Sequence, residues 1–157
     1  MPSESYNNSS ALGLQLRSQN GRREVFDPIR RRWVRYTPEE RIRQLFIRWL
    51  VEDVGYPCGR LGNEVSLDLN GTWRRCDTAV YDGAGNPVMI IEYKAPNVAL
   101  TMDVFEQIAR YNIALQTKWL AVTNGKNLYC CRIKKEKDST DFEFLSDFPS
   151  YEDLIVK

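Results

Sequence analysis

The chain has 157 residues, of which 43% are hydrophobic and 27% charged, with a formal net charge of +1, which fits one α/β-type domain large enough to bury a core. No apolar run approaches a membrane span and MPSESYNNSS has neither a basic n-region nor an apolar h-region, so the expectation is a cytoplasmic protein with no membrane attachment. There is no histidine, which removes the usual base of Ser-His and Cys-His catalysis, and Cys58, Cys76, Cys130 and Cys131 lack the CxxC spacing of a zinc site, so reduced, packed thiols are expected and any chemistry should run on carboxylates and a lysine.

Residues 1–11, rich in Ser and Asn, read as a flexible N-terminus. In the region 12–36, Leu12, Leu14 and Leu16 alternate with smaller or polar residues, and Asn20-Gly21 before Glu24-Val25-Phe26 predicts a β-hairpin with a primed turn. A second short pairing turns near Asp27-Pro28 and returns through Trp33 and Val34. Thr37 as N-cap, Pro38 at the first helical position and Glu40 three residues after the cap then predict a helix running to about Val54 and stopping at Gly55. Its core-facing stripe is Ile42, Phe46, Trp49 and Leu50.

From Asn63 the period becomes two. Val65, Leu67 and Leu69 define a strand that ends at Asn70-Gly71; a second strand runs from about Arg75 to Tyr81 and a third from Val88 to Lys94. The glycine-rich break between the last two makes them an antiparallel hairpin. A helix over about Thr101–Gln116 follows, with Thr101 as cap and Val104, Phe105, Ile108 and Leu115 facing the core. Strands at Trp119–Thr123 and Leu128–Ile133 flank the Asn124-Gly125 turn, and adjacent Cys130 and Cys131 should point to opposite faces. The order describes a mixed α/β sheet with helices on both faces. Residues 37–133 form the core of this reading, and 134–157 form an acidic, aromatic C-terminal tail containing Phe142, Phe144 and Phe148.

The stretch VMIIEYKAP raises the question of function, because four apolar residues, Val88–Ile91, are followed at once by Glu92 and Lys94. If the loop Gly83–Asn86 is symmetric, Asp82 opposes position 87 and, by the same centre, Asp77 opposes Glu92. Directly opposed side chains share a face, and Lys94 shares it with Glu92. Two carboxylates side by side need a positive charge between them, from Lys94 or a divalent cation; an all-oxygen donor set selects Mg²⁺ or Mn²⁺. The alternative is a cross-strand ion cluster without chemistry, although charges on so apolar a strand are costly if unpaired.

Asp77 followed by Glu92-Tyr93-Lys94 at the end of the next strand resembles the active site of the PD-(D/E)xK nuclease superfamily, whose restriction-endonuclease-like αβββαβ core has the same element order. Gln107 and Tyr111 in EQIARYN resemble the Gln-xxx-Tyr signature of the subgroup with the nuclease domains of type I restriction enzyme R subunits. With TPEERIRQ, RRCDTAVYD, IIEYKAP and VTNGKNLYCC, the chain looks like a stand-alone form of the type I restriction R-subunit N-terminal domain family over roughly residues 24–133. It departs in having Cys76 rather than Pro before Asp77. The resemblance implies metal-dependent hydrolysis of DNA: Asp77 and Glu92 hold Mg²⁺, Lys94 orients water or stabilises the transition state, and Gln107 and Tyr111 position the metal site or the scissile strand. It also offers Glu40 as a third metal ligand, against a capping-box partnership with Thr37.

Charge is distributed unevenly. All thirteen arginines up to Arg75 precede the first lysine, while the segment from Lys134 onward is mostly acidic. Arg41, Arg74 and Arg75 are therefore candidate phosphate contacts, with solvated side chains as the alternative. The partner expected is DNA, with other restriction-system or helicase subunits as possible further partners docking on the Arg-rich N-terminal hairpins or the acidic tail. Rival functions are a non-catalytic nucleic-acid- or protein-binding module and an RNA-directed nuclease on the same fold. No G-x-x-x-x-G-K-[ST] loop is present, so any cleavage should be independent of ATP.

Overall fold

The computed structural model describes residues 13–69, 71–113 and 116–156. The expectations for residues 1–11, Leu12 and Leu115 lie outside the described residues.

The first element is a three-stranded antiparallel sheet, β1 (Leu16–Gln19), β2 (Arg22–Asp27) and β3 (Arg32–Arg35), in the order β1-β2-β3. Asn20 at φ 53° and Gly21 at φ 74° supply the two left-handed residues of a primed turn, which matches the right-handed twist of the strands it joins. Both predicted pairings are present, and they share β2.

Helix α1 (Pro38–Trp49) begins as the sequence predicts: Thr37 is extended, its Oγ1 accepts the Glu40 amide at 3.0 Å, and Pro38 needs no partner for a missing N–H. Such a cap contributes about 1 kcal/mol. The helix continues as one π-helical turn, Leu50–Val54, and stops at Gly55, whose φ of 91° only glycine adopts without strain. Ile42, Leu45, Phe46, Trp49 and Leu50 are buried along one stripe.

Six strands form the main sheet: β4 (Leu61–Leu69), β5 (Thr72–Tyr81), β6 (Pro87–Tyr93), β7 (Trp119–Thr123), β8 (Leu128–Lys135) and β9 (Thr140–Phe144), hydrogen-bonded in that order. All neighbours are antiparallel except β6 and β7, which are joined through helix α2 (Met102–Ile113) as a parallel β-α-β unit. Alternation divides the core into two layers. Met89, Ile91 and Tyr93 of β6 face α1 with Cys130, whereas Ile90, Leu120, Val122 and Cys131 face Phe105, Ile108 and Ala109 of α2. The predicted helices on both faces and the opposed adjacent cysteines are therefore observed.

The tail completes the domain. β9 pairs with β8, and Phe148 stacks edge-on against Phe46 and Trp49, with ring centroids 5.8 and 5.4 Å away. A short helix, α3 (Tyr151–Ile155), is closed by a capping box between Ser150 and Asp153, and Tyr151 Oη donates to the Tyr81 carbonyl at 2.8 Å. Two details differ from expectation. Cys58 is exposed rather than packed. Near the turn, Tyr81 pairs with Pro87, with a bulge between Val80 and Tyr81, so the loop is not symmetric about the position assumed. Beyond the bulge Thr78 pairs with Ile91, which restores the register that aligns Asp77 with Glu92.

Candidate active site

Asp77 lies where the main sheet changes face. The β4–β5 ladder pairs Asn63 with Thr78 and then Val65 with Cys76, leaving Glu64 and Asp77 between them, and Glu64 is left-handed at φ 52°. A non-glycine residue there is under backbone strain of about 1–3 kcal/mol. The result is a kink. On one side, Thr78 Oγ1 bonds Asn63 Oδ1 at 2.8 Å and lies 3.0 Å from Tyr93 Oη; on the other, Val65 and Cys76 join the core layer under α2.

The kink is held by Arg43, a buried residue of α1 that the sequence did not single out. Its Nη1 donates to the Asp77 carbonyl at 2.8 Å, its Nη2 donates to Glu64 Oε1 at 2.6 Å, and Glu40 Oε2 lies 3.3 Å from the same Nη2. Arg75 closes the far side of Glu64 at 2.8 Å. Burial alone raises the Glu64 pKa, but hydrogen bonds and charge from Arg43 and Arg75 outweigh it and hold the carboxyl below its ordinary value.

At the kink Asp77 Oδ2 accepts the Tyr93 amide at 2.9 Å, so the carboxylate reaches across to the end of β6. There it meets Glu92. Burial first, and then the Asp77 charge and a carboxyl-to-carboxyl hydrogen bond, push the Glu92 pKa up to about 9; the Asn112 amide and the Lys94 charge pull the other way. Glu92 Oε1 is buried with no hydrogen-bond partner. The same surroundings push the buried Cys76 thiol up to about 12, which leaves it protonated and inert.

Glu92 and Lys94 open into a cleft of about 280 Å³ walled by α2 through Gln107, Ile108, Tyr111 and Asn112. The helical spacing of Gln107 and Tyr111 brings both to this wall, where each is exposed. Asn112 was missed. It is 1% exposed, its Nδ2 donates to the Ile108 carbonyl at 2.9 Å, and its Oδ1 has no partner. Polar burial beside a motif residue was the available signal, but asparagine on a helix has no distinctive spacing. Larger clefts lie elsewhere, one of about 380 Å³ between the N-terminal sheet and α1 and one of about 550 Å³ beside Trp119 and Phe148, the latter lined by Asp147 and Asp153 with Lys118 and Arg132.

The remaining candidates separate. Arg74 is brought to the site, its guanidinium 4.7 Å from the centre of the Tyr111 ring. Arg75 is exposed and paired with Glu64. Arg41 is half-buried and makes no side-chain contact with the Asp77–Glu92 pair. Glu40 is not brought to that pair: its Oε1 accepts from Arg30 at 2.7 Å and Gln44 at 2.9 Å, and its Oε2 faces Arg43. Consistently, no group of three or more carboxylate or thiol side chains able to hold a metal occurs among the described residues.

The family model for the Type I restriction enzyme R protein N terminus matches residues 38–149, from the start of α1 to just before α3. The chain belongs to this family. The match spans α1 and α2, all six strands of the main sheet and every residue of the Asp77–Glu92–Lys94 cluster, while the N-terminal sheet lies outside it. No curated protein matches this chain. Among its described residues no helix is long and apolar enough to cross a membrane.

Proposed function

We propose that this chain is a metal-dependent nuclease that hydrolyses phosphodiester bonds in DNA. The observation that carries the reading is Glu92 Oε1, buried without a partner, with the Asp77 carboxyl beside it and Lys94 sharing its cleft. A buried carboxylate oxygen left without a donor costs free energy unless a cation or proton completes it. The donor set is all oxygen, and Mg²⁺ commonly binds through one or two carboxylates with water and substrate phosphate filling the rest. Asp77 and Glu92 are the residues that would hold Mg²⁺ or Mn²⁺. When bound, such an ion supplies charge neutralisation and Lewis-acid activation at the phosphodiester.

The protein's own groups do the rest. Lys94 presents its ammonium at the cleft where negative charge grows on the phosphoryl oxygens, which favours the transition state over the ground state. Asn112 lies beside the Glu92 carboxyl on the α2 side, and Arg43 fixes the backbone of Asp77 from the α1 side. Gln107 and Tyr111 line the approach of the scissile strand, with Arg74 over Tyr111 as a phosphate contact. Glu40 enters as the anchor of Arg43 rather than as a ligand.

The test is incubation of the purified chain with plasmid, linear duplex and single-stranded DNA in Mg²⁺, Mn²⁺ or EDTA, without ATP. Cleavage in either metal and none in EDTA is expected, with loss in Asp77→Ala and Glu92→Ala. Calorimetric metal titration should show binding that both variants lose; equal affinity in all three proteins would place the metal elsewhere.

A further inference from the structure

We infer that the N-terminal three-stranded sheet is a docking platform for the phosphate backbone of duplex DNA, presenting substrate to the Asp77–Glu92 cleft. This extends the nuclease reading by assigning the surface that receives the substrate, on the part of the chain that the family match does not cover.

Residues 13–36 carry seven arginines against two carboxylates, a net +5 in a chain whose total is +1. Both carboxylates are already matched: Glu24 is bonded by Arg17 at 2.9 Å, and Asp27 is bonded by Arg30. Arg22, Arg23, Arg31, Arg32 and Arg35 are exposed and have no carboxylate partner among the described residues. Positive charge that nothing in the fold neutralises is self-repelling, and a polyanion relieves it.

Register places two of these cations, Arg22 and Arg35, in one row with Arg17. Arg17 pairs with Glu24, which pairs with Arg35, so Arg17, Arg35 and, two residues along β2, Arg22 share one face. Arginine suits this role because its planar fork binds phosphate oxygens bidentately. The aromatic rings nearby favour a duplex over single strands. Trp33 is covered by the Arg17 guanidinium at 4.4 Å and packed edge-on against Phe26, and Tyr36 lies under Arg23 at 5.3 Å, so this sheet offers cations to phosphates but no bare ring for stacking an unpaired base.

The platform is fixed relative to the site. Asp27, fully buried, accepts from the Ile29 amide at 2.8 Å and from Asn63 Nδ2 at 3.0 Å, while Asn63 Oδ1 receives Thr78 Oγ1, the residue after Asp77. Arg30 bridges the same Asp27 to Glu40 of α1. A duplex held on the sheet is thereby held at a set distance from the kink.

The experiment measures anisotropy of a labelled short duplex, and of one of its strands alone, with the full chain in EDTA across a salt series. The variant Arg22→Gln/Arg31→Gln/Arg32→Gln/Arg35→Gln should bind duplex about 10- to 100-fold more weakly near 100 mM salt, with the log–log salt slope reduced by about one for each phosphate that is no longer neutralised. Its thermal midpoint should hold, since all four side chains are exposed; if it does not, the pair Arg22→Gln/Arg35→Gln should still lose about 5-fold or more. Unchanged duplex affinity and slope in a folded variant, as expected if the sheet docks an acidic protein instead, would overturn the inference, as would tighter binding of the single strand. Because binding is read without metal, a chain that binds through these arginines yet never cuts removes the nuclease reading alone. A chain that cuts while these variants bind normally removes the platform alone.

Discussion

Two clusters of carboxylates meet at the β4–β5 kink, and they are treated oppositely. On the α1 side, Asp27, Glu40 and Glu64 are each paired with arginine, and the pKa values of Asp27 and Glu64 are held below their ordinary values although burial alone would raise them. On the α2 side, Asp77 and Glu92 face each other with no arginine on them, and Glu92 is pushed up to about 9. A guanidinium stays charged at any physiological pH, so the first cluster is complete in itself. The second is incomplete without a proton or a cation. Proximity of acidic residues is common to both; the identity of the counter-charge separates a structural ion network from a candidate reaction centre.

The comparison breaks first on activity. Lys94→Ala should lower cleavage at least 10³-fold while leaving duplex affinity within a few-fold, because a transition-state contact contributes little to ground-state binding. Single-turnover rates beside binding isotherms check it, and retained cleavage would remove Lys94 from the mechanism. Next is Arg43→Ala, which leaves Glu40 and Glu64 short of their buried counter-charge and frees the Asp77 carbonyl; a loss of about 3–5 kcal/mol is expected from urea unfolding. A loss below about 1 kcal/mol would show that the α1-side network is not what holds the kink.

The two clusters should also give stability profiles of opposite sign. The Asp27 and Glu64 carboxyls, lowered from 3.8 and 4.5, contribute stability that is present above those unfolded values and lost as pH falls through the folded ones. Glu92, raised from 4.5 to about 9, binds its proton more tightly when folded, so its contribution is present below about 4.5 and lost as pH rises toward 9. Glu92→Gln should therefore stabilise the metal-free protein at pH 8–9 by about 1–3 kcal/mol and change little near pH 5, after discounting for partial solvent access. Unfolding midpoints in EDTA at three pH values check this, and a pH-independent difference would contradict it. The smallest effect is expected from Asn112→Leu, which removes the amide beside Glu92: metal affinity should fall about 10-fold with the thermal midpoint little changed, whereas a purely structural asparagine would shift the midpoint alone.

What the sequence determined by itself was local. The Thr37-Pro38-Glu40 start, the Asn20-Gly21 turn, the period-two run of β4 and the continuous apolar run of β6 are short-range patterns whose steric and capping preferences act without the rest of the chain, and all appear as read. The alignment of Asp77 with Glu92 was legible too, although the pairing assumed at the turn was wrong, because the bulge after Val80 absorbs the offset before the register reaches Thr78 and Ile91. Two elements of the tail escaped notice: β9 carries charges in alternation and exists because β8 offers an edge, and α3 has only five residues, too few to form alone. The fate of Glu40 was likewise undecided, since a glutamate at that helical position serves a cap, a metal or an arginine equally well on sequence grounds. In the structure it is paired with Arg30, ten residues earlier, and with Arg43, which meet it in space. The same holds for the kink at Glu64 and for Asn112, which acquire their roles through residues far away in the chain, Arg43 for the one and Glu92 for the other. Tertiary structure decided these because buried charge is settled by whichever partner is nearest in three dimensions, and sequence distance carries little information about that.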